Sequence, residues 1–215
     1  MYLPRQFDNK DPAIALELMR AHPLAQLVSV DDSGFPFVTP LPLHTVKEEG
    51  DEIVLRGHVA QPNPHAGFLR SRPQALWVFQ GHQAYMTPRV YPDLVRVPTW
   101  SYLAVHATVR VQMVEAFDDK DRLLKHLIHD HDPAYAEQWR SLGADYQHKM
   151  VAGIVAFELH VTQFQCKLKL NQHRPESHMA VHAAYAAGNS DEQALARWMV
   201  RLGMVGLSPM EESCA

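Results

Sequence analysis

Apolar and polar positions alternate over several short runs of this chain, and stretches with helical spacing interrupt them. Ala25 to Val30 reads as a strand leading into the turn signal Asp31-Asp32-Ser33-Gly34, and Pro36 to Leu43 returns as a second strand. Three prolines in that second run (Pro36, Pro40, Pro42) place it at an edge or a bend, because proline cannot donate to a ladder. Further strands are predicted at Ile53 to Val59, Ala75 to Gln80, Thr99 to Glu115 and Ile154 to Leu170, with Tyr85 to Val90 as another hairpin arm. Helix signals fall between them. Asp11-Pro12 opens one as cap and first residue, with Ile14, Leu18 and Met19 on its apolar face. Asn63-Pro64 opens a short one that closes near Ser71, Asp118 caps one running to His131, and Pro133 begins one reaching about Met150. The tail is helical twice, from Pro175 to Ala187 and from Ser190 to Leu202, with Gly188 and Gly203 as stops and Ser190 with Gln193 as a capping box. Antiparallel strands with inserted helices predict a mainly β, α+β fold: a small barrel with peripheral helices. The expected division is a barrel domain over residues 1–170, carrying inserted helices at about 118–150, and a C-terminal helical extension over 171–215 packed on it.

Composition narrows the class. With 47% apolar and 20% charged residues the chain is an ordinary globular protein. No apolar run approaches the roughly 20 residues that span a bilayer, so no membrane partner is expected. Cys166 and Cys214 are the two cysteines, too few for a disulfide framework, and a reducing cytoplasm is the simplest home. The formal net charge of −4 comes without any basic stripe or convincing helix-turn-helix, which argues against direct DNA binding. The best local basic patch is Lys167 with Lys169. Their spacing puts both on one side of a strand, an arrangement that suits a small anion better than a duplex.

Glycine-rich phosphate loops and a nucleophile elbow are absent from the sequence. His129-Asp130-His131-Asp132 sits where a helix should end and reads as a solvated terminus. Three segments carry candidate chemistry. Val97 to His106 gathers Thr99, Trp100, Tyr102 and His106 at the head of a long strand, either as one wall of a site for a flat, partly polar ligand or as a well-anchored core strand. Arg56-Gly57-His58 leads into the helix start at Asn63, a junction that suits an anion and equally fits a capped helix beside an exposed arginine. Gly81 to Arg89 adds Tyr85, Thr87 and Arg89. Together the last two segments resemble a phosphate anchor beside a surface for a planar ring.

These residues also match a known pattern. Met1-Tyr2-x-Pro4, Gly57-His58-x-Ala60-x-x-Asn63-Pro64, Phe79-Gln80-Gly81 with Ala84-Tyr85-x-x-Pro88, Pro98-Thr99-Trp100-x-Tyr102-x-x-Val105-His106, and Lys167-Leu168 with Asn171 and Arg174-Pro175-Glu176 occur in order along residues 1 to about 180. In this the chain resembles the PaiB-like FMN-binding negative transcriptional regulators. The resemblance implies an antiparallel split β-barrel of the FMN-binding type and a homodimer with FMN at its interface. It implies a phosphate contact from Arg56, Gly57, His58 and Asn63 and a ring border from Tyr85, Thr87 and Arg89. Thr99, Trp100, His106 and Lys167 would complete the cofactor site. The chain departs from the pattern at His82, at Arg89-Val90 and in lacking an arginine near Gln61. Whether it is an enzyme stays open: the alternatives are a flavin-dependent NAD(P)H oxidoreductase and a haem-handling split-barrel protein. If it represses transcription, a partner protein or an indirect route is expected at least as much as direct DNA contact.

Overall fold

A computed structural model of the chain describes residues 1–47, 52–93 and 95–206. Residues 207–215 of the expected C-terminal extension, Cys214 among them, lie outside that range. The order of elements is β1 (Asp8–Asn9), α1 (Pro12–Ala21), β2 (Leu24–Val30), β3 (Pro36–Pro42), β4 (His44–Lys47), β5 (Ile53–Ala60), α2 (His65–Ser71) and β6 (Gln74–Met86). It continues through β7 (Thr99–Val114), α3 (Phe117–His131), α4 (Tyr135–Ser141), α5 (Ala144–Ala152), β8 (Ile154–Lys169), α6 (His178–Ala186) and α7 (Ser190–Arg201). The strands order as β3-β2-β6-β7-β8-β5-β4, with β1 on β8. The ladders β2–β3, β2–β6, β4–β5, β5–β8 and β1–β8 are all antiparallel. This is the α+β antiparallel architecture of the split-barrel class, and the proline-rich β3 stands at the end of the strand order as expected.

The chain divides into two compact units. One holds residues 1–10, 80–104 and 165–215, and the other holds 11–79 and 105–164. In the larger unit, Leu27, Leu43, Leu55, Leu69, Trp77, Phe79, Phe157 and Leu159 are buried, and burying side chains of this size contributes about 1.5–3 kcal/mol each. Two polar residues, Ser29 and His65, are buried in the same unit. His65, the first residue of α2, is 0% exposed; its Nε2 bonds Ser29 Oγ on β2 at 2.9 Å and its Nδ1 bonds Thr39 Oγ1 on β3 at 2.8 Å. Burial drives its pKa from the ordinary 6.5 down to about 4, so the ring is neutral at physiological pH. In the smaller unit, Met86, Leu103, Leu168 and Leu170 are buried beside Val181 of α6 and Leu195 and Met199 of α7. Tyr185 of α6 donates to Ser101 Oγ on β7 at 2.9 Å, and burial pushes its hydroxyl pKa up.

Four local expectations change. Tyr85 to Val90 is not a separate hairpin arm: β6 runs unbroken to Met86, and Pro88–Val90 form a single 3-10 turn. Gly81 lies inside β6, whereas Gly34 and Gly203 adopt positive φ. The predicted helix from Pro133 to Met150 is two helices. Leu142 is extended between them, and Gln147 Nε2 donates to the freed carbonyls of Trp139 (2.8 Å) and Leu142 (3.0 Å). The capping box forms one residue earlier than expected, on Asn189 and Glu192. Asp118 lies within the first turn of α3 and its side chain caps nothing.

Gly57 on β5 is required by packing. A Cβ there would lie 2.7 Å from Leu43 Cδ2 and 3.1 Å from Leu41 Cδ1, both on buried side chains. Gly57→Ala should therefore destabilise the protein by roughly 1–3 kcal/mol. Adding Leu43→Ala should recover part of that loss, a non-additivity readable by urea denaturation of the four proteins of the cycle. His65 predicts a pH dependence. Between pH 6.5 and about 4 the unfolded chain takes up a proton that the folded ring does not, so stability is full above 6.5 and falls as pH drops through that window. His65→Ala should lower stability at pH 7 by about 2–4 kcal/mol. It should also flatten the slope between pH 6.5 and 4, measured by urea midpoints across that range.

Candidate functional site

The residues of the expected site fall into the two units. Tyr85, Thr87, Arg89, Thr99, Trp100 and Lys167 belong to the smaller one, and Arg56, Gly57, His58, Asn63 and His106 to the larger.

In the smaller unit, alternation along the strands builds an aromatic and cationic face. Trp100 on β7 and Tyr85 on β6 meet edge to face, with ring centroids 6.0 Å apart at 76°, and each is about half exposed (53% and 50%), leaving ring surface open to a ligand. Two residues beyond Trp100, the Tyr102 ring receives two ammonium groups: Lys167 Nζ lies 5.2 Å from its centroid and Lys169 Nζ 5.6 Å. Lys167 is 6% exposed, and its Nζ donates to the Tyr2 carbonyl at 3.0 Å. Lys169 donates to Thr99 Oγ1 at 2.6 Å. The N-terminal arm that brings Tyr2 there is tied down by the Met1 ammonium on Gln165 Oε1 (2.5 Å) and by pairing of Asp8 and Asn9 with Lys167 and Cys166. Among the described residues neither lysine has a carboxylate partner, and burial, then the charge of Lys167, holds the pKa of Lys169 below the usual lysine range. Two like charges sharing a partly buried face without an acid make a site that attracts an anion. Thr87 and Arg89 stand apart from this cluster of contacts: Thr87 Oγ1 accepts from the Arg89 amide at 3.4 Å in the 3-10 turn, and the Arg89 side chain is exposed. A cavity of about 320 Å³ opens beside the face, with Thr99, Trp100 and Lys169 among its walls.

In the larger unit the expected phosphate anchor is engaged internally. Arg56 Nε donates to Glu158 Oε1 at 2.7 Å, the residue directly opposite it on β8. The side of Gly57 that lacks a Cβ is filled by Leu41, Leu43 and Phe157, not open to a ligand. Burial lowers the pKa of His58, and its buried Nδ1 has no hydrogen-bond partner among the described residues. Asn63 Oδ1 accepts from the amide of His65, the first residue of α2, at 3.0 Å, one position before the Pro64 cap. His106 sits partly buried on β7. A second cavity, of about 300 Å³, borders Arg56, but it sets Glu115, Asp119 and Glu158 against Arg56 and Arg122, a lining with no bias towards an anion.

The sequence reading placed Tyr102 in the candidate wall and Lys169 in the basic patch, but did not join them, or Tyr2, to the expected cofactor contacts. The signal for the first two was the i, i+2 step that puts Tyr102 beside Trp100 and Lys169 beside Lys167. Tyr2 acts through its backbone carbonyl, which no side-chain pattern announces.

Residues 1–163 match the family described as "Putative FMN-binding domain". Protease synthase and sporulation protein PAI 2 of Bacillus subtilis is 29% identical over 185 residues, covering 82% of this chain and 84% of the relative. The flavocytochrome Anf3 of Azotobacter vinelandii superposes with a TM-score of 0.61 at 18% identity, over 77% of this chain and 72% of that one. The FAD and haem binding protein of Mycobacterium smegmatis gives 0.57 at 20% identity, over 75% and 73%. At such identities the two structures speak for the shared split-barrel fold alone, whereas the family match spans most of the sequence. The chain belongs to this family of FMN-binding domains and is a homologue of the PaiB protein PAI 2.

Proposed function

We propose that this protein binds FMN on the aromatic and lysine-bearing face of its smaller unit, as a homodimer, and serves as a flavin-responsive negative regulator in the cytoplasm. The observation that carries this is the acid-free pair Lys167 and Lys169 over Tyr102, beside the half-open rings of Trp100 and Tyr85. FMN pairs a flat ring system with a phosphate, and this face pairs aromatic surface with two uncompensated ammonium groups. The Tyr2 carbonyl and Thr99 hydroxyl hold those groups in position before any ligand arrives, which reduces the ordering cost of binding. Bound FMN would supply the electron-transfer chemistry of its ring. Arg56, Gly57, His58 and Asn63 are left out of the proposed contact set because Glu158, Leu43 and the start of α2 already engage three of them.

Homodimerisation draws support from exposed apolar groups. Besides Tyr85 and Trp100, the β2–β3 ribbon leaves Leu24, Val30 and Val38 open to solvent, apolar surface that a second copy could cover. No described helix is long and apolar enough to cross a membrane. The name of PAI 2 refers to protease synthase and sporulation, and a net charge of −4 favours regulation through a partner protein over direct DNA contact.

Titration of the purified protein with FMN, followed by flavin fluorescence, tests the site. Trp100→Ala should weaken FMN roughly five- to hundredfold, the range expected for loss of one stacking partner, while light scattering still reports two chains per particle. Lys169→Met should weaken FMN by about tenfold and leave riboflavin, which lacks the phosphate, nearly unchanged. Equal losses for both ligands would remove the phosphate from this face. FMN binding unaffected by either substitution would move the cofactor elsewhere.

A further inference from the structure

The cavity beside the flavin face has features that the face itself does not use. Its remaining walls divide by chemistry: Phe7, Met86, Tyr91 and Val97 are apolar or aromatic, while Arg96 and Arg174 add two guanidinium groups to the ammonium of Lys169. None of its lining residues is acidic, in a chain whose net charge is −4. His173 adds a polar ring and little charge, since burial and then the neighbouring Arg174 lower its pKa, and the ring packs edge-on against Phe7 at 5.5 Å.

Arg96 is the most informative wall. Its guanidinium lies 5.3 Å from the Tyr91 ring centroid, Nη2 pairs with Asp93 Oδ2 at 2.7 Å, and Nη1 donates to the Val95 carbonyl at 3.0 Å. These contacts fix the plane of the group and engage both Nη atoms, whereas Nε–H is buried and has no acceptor among the described residues. A buried charged donor without a partner is costly, so the guanidinium as a whole is under-satisfied by the protein and retains pull on an anion. The wall behind it is equally fixed. The Tyr91 hydroxyl donates to Asn171 Oδ1 at 3.2 Å, and Asn171 Nδ2 donates to Ser177 Oγ at 2.8 Å. Asn171 itself holds φ at 70°, the left-handed conformation that asparagine tolerates better than most residues. Ser101, also in the lining, has its hydroxyl occupied by Tyr185.

The geometry points to a second binding site, adjoining the proposed flavin contacts and sharing Lys169 with them, for a small carboxylate with an apolar body. The carboxylate would be drawn to the guanidinium of Arg96, with Lys169 and Arg174, whose pair with Glu176 is long at 3.9 Å, supplying further positive charge, and the body would rest against Phe7, Met86, Val97 and Tyr91. A planar fork that is already oriented suits a carboxylate, and apolar walls would be wasted on a free inorganic anion. The volume of about 320 Å³ lies at the small end for ligand pockets, which limits the occupant to a compact molecule.

The test uses the full-length protein and benzoate as probe, with benzamide as its uncharged counterpart and inorganic phosphate as the anion without a body. Calorimetric titration should show benzoate binding at least tenfold more tightly than either. Arg96→Met should weaken benzoate by about tenfold or more and leave FMN affinity as in the wild type. Arg174→Met, which leaves the Tyr91 stack intact, should weaken benzoate in the same direction and serves if Arg96→Met fails to fold. Equal binding of benzamide or of phosphate would overturn the carboxylate assignment, as would benzoate binding indifferent to both substitutions. Benzoate displaced one for one by FMN would mean that the cavity belongs to the flavin site. Benzoate binding that persists in a protein indifferent to FMN would sink the flavin assignment and leave this one standing.

Discussion

Two ammonium groups on one face of β8, with no carboxylate between them, constrain everything around residues 165–171. Like charges drawn together out of bulk water repel, and burial removes the solvent that would screen them. The chain answers with oriented dipoles and ring faces in place of ions: the Tyr2 carbonyl for Lys167, the Thr99 hydroxyl for Lys169, and the Tyr102 ring for both. Neutral groups stabilise the cations without cancelling their charge. An acid at the same place would have made a more comfortable protein and a poorer receptor. The short β1 strand and the ordered N-terminal arm follow from this requirement, since one delivers and the other secures the carbonyl that Lys167 needs.

The chemistry separates two kinds of positive surface. On the larger unit, Arg56 faces Glu158 across a ladder, and the adjoining cavity mixes acids with bases. Such paired charges contribute modestly to stability and offer little to a ligand. On the smaller unit the positive groups outnumber their acids, and Arg96 retains a buried donor after Asp93 and Val95 have been served. The difference is one of satisfaction rather than of residue type. Arginine count alone would have ranked the two regions together.

That difference also explains what was legible in the sequence. Period-two alternation located β2, β3, β5, β7 and β8 closely, and cap chemistry at Asp11-Pro12 and Asn63-Pro64 found the starts of α1 and α2, because these signals act through neighbours in the chain. The aromatic segment around Trp100 was legible for the same reason, through an unusual side-chain density in one strand. The sequence could not tell whether Arg56 would find an acid, because Glu158 lies about a hundred residues away and the answer depends on register. Gly57 was misleading in the same way: its missing side chain makes room for Leu43, whose approach only the fold reveals.

The buried imidazole of α2 carries a further implication. A neutral ring can donate from only one of its nitrogens, yet His65 meets a hydroxyl at each. Ser29 and Thr39 therefore cannot play the same part: one must give its proton to the ring and the other must receive one. The tautomer sets which way the hydroxyl dipoles point on two neighbouring strands, so β2 and β3 are matched by polarity as well as by their ladder. Such a relay has two mirror settings of proton order, and the local field of the fold selects between them without any change in the positions of the heavy atoms.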